Sequence, residues 1–179
     1  MELADKILEL VRQKGEFFEG WENAPEDLKE QITSLVHEYI AKIGENLKVL
    51  DLFALPKEHK AYVYIHPGSR VVSIVFWEGD DESLAKEVAL QVAAMNPQYI
   101  SVEDIPAELL EQKKQEFVQE LKDSGKPEDV IQRIVEGKLA KWYEEVVLLE
   151  QPYIRDESKK IKEVIGDKIK IVDFRRFSI

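Results

Sequence analysis

The chain has 179 residues, 44% of them apolar and 34% charged, which suits one domain or two small ones with cores of their own. It has no cysteine and a formal net charge of −11, which excludes disulfides, thiolate chemistry and cysteine-built zinc sites and makes it a poor general binder of nucleic acid. No apolar run is long enough to cross a bilayer, and the opening Met1-Glu2-Leu3-Ala4-Asp5-Lys6 does not read as a signal peptide.

Leu3, Ile7, Leu10 and Val11 recur at helical spacing and predict a helix over 2–13. A loop through Gly15 and Gly20 leads to a second helix, opened by Pro25 and the acidic pair Glu26-Asp27. Its apolar stripe is Leu28, Ile32, Leu35, Tyr39 and Ile43, and Gly44 stops it in the left-handed closing position. Leu47 to Ala54 reads as a strand. Residues 61–77 read as a β-hairpin. Its flanks are β-branched and aromatic, and Pro67-Gly68 suits the centre of a type II turn.

Gly79 to Ser83 introduces a helix carrying Leu84, Val88, Val92 and Met95, ended by Asn96-Pro97. Two long helices then face each other across Ser124-Gly125-Lys126-Pro127. Leu110, Phe117 and Leu121 stripe the first; Ile131, Val135, Leu139, Trp142, Val146 and Leu149 stripe the second. A short helix near 156–165 and a strand near 168–177 complete the pattern.

Ile43-Gly44-Glu45-Asn46-Leu47-Lys48-Val49-Leu50-Asp51 parallels Ile165-Gly166-Asp167-Lys168-Ile169-Lys170-Ile171-Val172-Asp173, and Leu3-Ala4 and Val11 parallel Leu84-Ala85 and Val92. The chain reads as two copies of one unit, with a helical insertion in the second. By that analogy the first copy lacks an opening hairpin. Either the chain is truncated there or the first copy never had one.

No phosphate-binding glycine loop, nucleophile elbow or His-Glu-x-x-His appears. His37, His59 and His66 fall in different elements, with His37 read as a helix-surface residue. Asp80-Asp81-Glu82 suggests a cation site, but without an EF-hand's central glycine and distal glutamate it reads better as an acidic helix start. Glu144 and Glu145, as helix neighbours, point different ways and do not pair as acid and base. Trp77 and Met95 read as core. His66 and Gly44 sit at turns, where side chain and backbone can reach a partner.

Longer runs of residues carry a resemblance. Gly125-Lys126-Pro127, Ile134 to Leu139, Glu144 to Ile154, Ala41 to Asn46, Tyr64-Ile65-His66 and Phe174 to Phe177 together resemble the elongation factor Ts family. The resemblance implies an α+β fold of two related subdomains, each a small antiparallel sheet flanked by helices, with an antiparallel helical hairpin inserted. It places the first subdomain at 1–55, the second at 56–105 and 152–179, and the hairpin at 106–151. It implies a cytoplasmic translation factor and not an enzyme, without cofactor, metal, membrane or direct nucleic-acid contact. Elongation factor Tu is the implied partner and GDP release the implied activity.

Partner-binding residues implied by the resemblance are Ile43, Gly44, Glu45, Asn46, His66, Gly68 and Arg70. Self-association as a homodimer is implied for the hairpin, through Leu110, Phe117, Ile131, Val135, Leu139 and Trp142; the alternative is an interaction module without exchange activity. The family's ubiquitin-associated-like domain and its Thr-Asp-Phe-Val segment have no counterpart in the sequence, so weakened exchange is expected.

Overall fold

The computed structural model describes residues 2–54, 59–68, 70–122 and 124–178. It is a mixed helix and sheet fold of α+β type, and its packing divides the chain into two compact units, 1–58 and 59–179. No described helix is long and apolar enough to cross a membrane.

The first unit is a helical pair, α1 (Glu2–Lys14) and α2 (Glu26–Ile43), joined through a short 3-10 turn at Trp21–Asn23. Ile7 and Val11 on α1 meet Leu28, Ile32 and Val36 on α2, together with Phe18 and Ala24. The helices run antiparallel: Lys14 Nζ bonds Asp27 at 2.8 Å near one end, and Lys6 lies over the Tyr39 ring at 5.2 Å near the other. Here α2, the longer helix, overhangs. The buried stripe runs Leu28, Ile32, Val36, Tyr39, so Leu35 is only half-buried and Ile43, expected in the stripe, is 52% exposed.

Residues 47–54 form no strand. Their one bridge joins Ala54 to Phe18 through a pair of 2.9 Å backbone hydrogen bonds. The segment has a strand's alternation, but a strand is stable only when a neighbour takes its N–H and C=O groups, and the described residues of this unit offer none beyond Phe18.

In the second unit, β1 (Lys60–Ile65), β2 (Val71–Gly79) and β5 (Ile169–Ser178) make an antiparallel sheet in the order β1-β2-β5. Helix α3 (Glu82–Met95) and the short α6 (Ile161–Ile165) belong to its core, where Val88, Val92, Ile161 and Ile165 meet Val75, Trp77, Ile169 and Ile171. Trp77 is core as expected; Met95, at the last turn of α3, is 42% exposed and not core. Residues 156–160, expected to be helical, form strand β4, which pairs with β3 (Pro152–Tyr153). Asp-Glu-Ser-Lys-Lys has no apolar stripe to bury, and helix starts only at Ile161, where Glu163 accepts the Lys160 N–H at 2.7 Å.

The insertion is α4 (Ala107–Leu121) and α5 (Glu128–Val146), joined at their base by a cluster of Ile105, Val146 and Val147 with Tyr99, Leu110 and Trp142. No residue of α4 is fully buried. The structure also lengthens the repeat. Gly15 and Asn96 both end a helix at positive φ (69° and 48°). The 3-10 turns Trp21–Asn23 and Val102–Asp104 follow at the same spacing, and Pro25 and Pro106 then open α2 and α4. Leu3 matches Leu84 at an offset of 81 and Ile43 matches Ile165 at an offset of 122; the difference, 41 residues, falls within the repeated helix.

One buried amide pair fastens this insertion to α3. Gln91 on α3 and Gln151 after α5 are both fully buried, and Gln91 Nε2 donates to Gln151 Oε1 at 3.1 Å. Gln91 also donates to the Pro152 carbonyl (3.0 Å) and accepts from the Ile154 N–H (3.0 Å). Gln151 Nε2 donates to the Glu145 carbonyl at 3.1 Å and reaches the Met95 carbonyl at 3.5 Å. Every hydrogen-bonding group of both amides is thus engaged.

Truncating Gln151 to alanine leaves one buried Gln91 N–H without its acceptor and opens a cavity, so Gln151→Ala is expected to lose about 2–3 kcal/mol of stability in urea unfolding. Gly79 sits at φ 115°, and a Cβ there would collide with the Lys168 carbonyl oxygen across the β2–β5 ladder. Gly79→Ala is expected to cost about 1–3 kcal/mol by the same measurement.

Candidate protein-docking turns

The residues singled out from sequence fall into three places. Ile43, Gly44, Glu45 and Asn46 lie together at the exposed end of α2, in the first unit. Gly44 takes the left-handed conformation (φ 79°, ψ 9°), and its N–H donates to the Ile40 carbonyl at 2.8 Å. The glycine therefore closes the helix one residue beyond an isoleucine that has no core to enter. A large apolar side chain at a rigid helix terminus is a ready-made contact for another protein.

His66, Gly68 and Arg70 lie together on the exposed β1–β2 turn, in the second unit. The His66 N–H donates to the Val71 carbonyl at 2.9 Å, and Gly68 has φ 92°, as the third position of a type II turn requires. Ser69, the fourth residue of the expected turn, lies outside the described residues. The Tyr64 hydroxyl lies 3.1 Å from His66 Nδ1, with the two rings edge to face, centroids 6.1 Å apart and planes at 61°. Tyr64 packs against the sheet core while His66 stays in solvent. Sequence reading missed this partner, although two residues spaced by two along a strand share a face.

The third group is the helical hairpin. Val135 and Leu139 are buried on α5; Leu110, Phe117, Ile131 and Trp142 are half-buried, and Val118 is 43% exposed. Lys138 Nζ of α5 lies over the Phe117 ring of α4 at 5.2 Å and pairs with Glu120, which staples the middle of the hairpin.

The acidic residues that suggested a cation site have other work. Asp81 caps α3, accepting from the N–H groups of Ser83 (3.1 Å) and Leu84 (3.3 Å). The Ser83 hydroxyl bond, with these amides, holds its carboxyl below the usual aspartate range. Glu144 pairs with Lys160 at 3.3 Å. Glu150 binds Lys162 at 2.7 Å and Lys160 at 3.0 Å. Partial burial pushes its pKa up, but the two ammonium groups outweigh that and hold it below the ordinary value. His37 is exposed on α2; His59 Nδ1 lies 3.5 Å from the Glu78 carboxylate.

The sequence model described as Elongation factor TS matches residues 1–179. Elongation factor Ts of Aquifex aeolicus is 37% identical over 96% of this chain and 62% of its own length. The Hydrogenobaculum protein of the same name is 38% identical over 99% of this chain and 67% of its own length. That of Alkalilimnicola ehrlichii is 35% identical over 88% and 58%. The chain thus spans 58–67% of the length of these relatives, all of the elongation factor class. Within that class it belongs to the elongation factor Ts family.

Glu150 has a depressed pKa when folded, so its ion pairs stabilise the fold above the ordinary glutamate value of 4.5 and lose that effect as pH falls below it. Glu150→Gln is expected to cost roughly 0.5–1 kcal/mol at neutral pH. In urea unfolding followed across pH, the gap between the two proteins should close under acid conditions.

Proposed function

We propose that this chain docks on elongation factor Tu and promotes release of its bound GDP. Family membership supports the partner, and the observation that carries the docking surface is Ile43. This apolar side chain is half exposed at a glycine-closed helix end and serves no core of its own unit. His66, Gly68 and Arg70 supply a second exposed turn of polar character. Glu45 and Asn46 extend the first.

Exchange of this kind requires no proton transfer or nucleophile from the factor. It requires tighter binding to the nucleotide-free partner than to the GDP-bound one. By linkage, GDP is then bound more weakly by the same factor. A factor that binds both forms equally releases nothing.

A second reading has its own observation. Helix α4 buries no residue completely, and Phe117, Leu121, Ile131 and Val118 leave apolar surface along the hairpin. That surface fits self-association of two hairpins, with Val135 and Leu139 supporting it from within.

Affinity for elongation factor Tu, measured with and without saturating GDP, is expected to be higher without GDP. Equal affinity would leave a docking scaffold without exchange, and no binding in either state would end the proposal. Ile43→Ala and His66→Ala are each expected to weaken binding about tenfold, and a variant that binds as tightly as the native chain removes that residue from the contact. For the second reading, sedimentation should give twice the 20.8 kDa chain mass. Val118→Asp should return the single-chain mass; a native chain that already sediments as one copy rules self-association out.

A further inference from the structure

We infer that Tyr64 is a positioning residue for His66: its phenol O–H donates to imidazole Nδ1, which fixes the Nε2–H tautomer and presents that N–H to an acceptor oxygen of the docking partner. The inference rests on the docking role proposed for His66 and specifies its chemistry. The acceptor is a backbone carbonyl or a carboxylate, not a donor group.

A neutral imidazole has one donor and one acceptor nitrogen, and the hydrogen bond made by one nitrogen decides the state of the other. His66 Nδ1 and the Tyr64 oxygen are 3.1 Å apart, the distance of an ordinary hydrogen bond. We assign the donor role to the phenol: the contact holds one proton, and placing it on the tyrosine oxygen leaves the ring proton on Nε2.

The two residues are unequal in freedom. The Tyr64 ring is half-buried against the core that holds Val75 and Val92, and it sits in strand β1 opposite Ser73. Its oxygen is therefore a fixed point. His66 lies one residue beyond the strand, with its backbone tied to Val71 and its side chain in solvent. Such an exposed histidine would lose rotamer freedom on binding; the tyrosine bond and the edge-to-face contact restrict it beforehand.

Tyr64→Phe keeps the ring and the core and removes only the oxygen. Long-range proton–nitrogen spectra of the native chain at mildly alkaline pH should show the Nε2–H tautomer of His66 dominating, and Tyr64→Phe should raise the Nδ1–H share. Affinity for nucleotide-free elongation factor Tu should fall about threefold in Tyr64→Phe. His66→Gln places an amide nitrogen near the Nε2 position and does not need the tyrosine, so adding Tyr64→Phe to His66→Gln should change affinity little. This coupling is one that general loosening of the turn would not produce. An unchanged tautomer share overturns the inference, as does an equal loss in both histidine and glutamine backgrounds. If those results come with weakened binding by His66→Ala, the docking role stands and only the tyrosine's part falls. If His66→Ala binds like the native chain, the docking role falls as well.

Discussion

The fully buried Gln91–Gln151 amide pair is the constraint on which the second unit depends. Two uncharged polar side chains enter the core, where an unpaired amide is costly, and the fold meets that cost by giving each group a partner. The consequence is positional. Gln91 can be satisfied only if Pro152 and Ile154 run past α3 in one register, and Gln151 only if α5 ends where the Glu145 carbonyl can be reached. The Gln151 carbonyl also takes the N–H of Ile161 at 3.0 Å, so the start of α6 is set from the same residue. Apolar contact alone would tolerate sliding; a directional network does not.

Much of this was legible in the sequence, and the reasons differ by element. Helix ends were readable where one residue dictates the backbone, as Gly44 does, and the β1–β2 hairpin was readable because Pro67-Gly68 separates two β-branched runs. Local pattern failed where tertiary partners decide. Residues 47–54 and β5 share a motif, yet only β5 finds a β2 to pair with. Ile43 and Met95 have the spacing of core residues and are exposed, because each lies in the last turn of its helix. Gln91 and Gln151 gave no signal at all, since nothing in a single sequence says that two glutamines sixty positions apart will meet.

The candidate contacts follow the same division. Gly44 and His66 were found because they sit at turns, and turns display what they carry; Ile43, Glu45, Asn46, Gly68 and Arg70 came from the family resemblance. Tyr64 was passed over because it reads as one more aromatic in a strand. Its role depends on where the oxygen ends up, and that is fixed by the core behind the ring. The acidic groups show the converse. Asp81 and Glu144, the carboxylates weighed for chemistry in the sequence, are a helix cap and an ion-pair partner of Lys160.

The inserted hairpin has a mechanical character that follows from where its contacts are concentrated. Helix α5 has 19 residues and so extends about 28 Å. Its base is clamped by Val146, Val147 and the Gln151 amide, while toward the Ser124–Pro127 tip side-chain packing and the Lys138 staple join the two helices among the described residues. Such a member behaves as a cantilever. Sideways force at the tip meets little resistance along the shaft and is delivered as torque at the root, where Gln151 passes it to Gln91 and into α3.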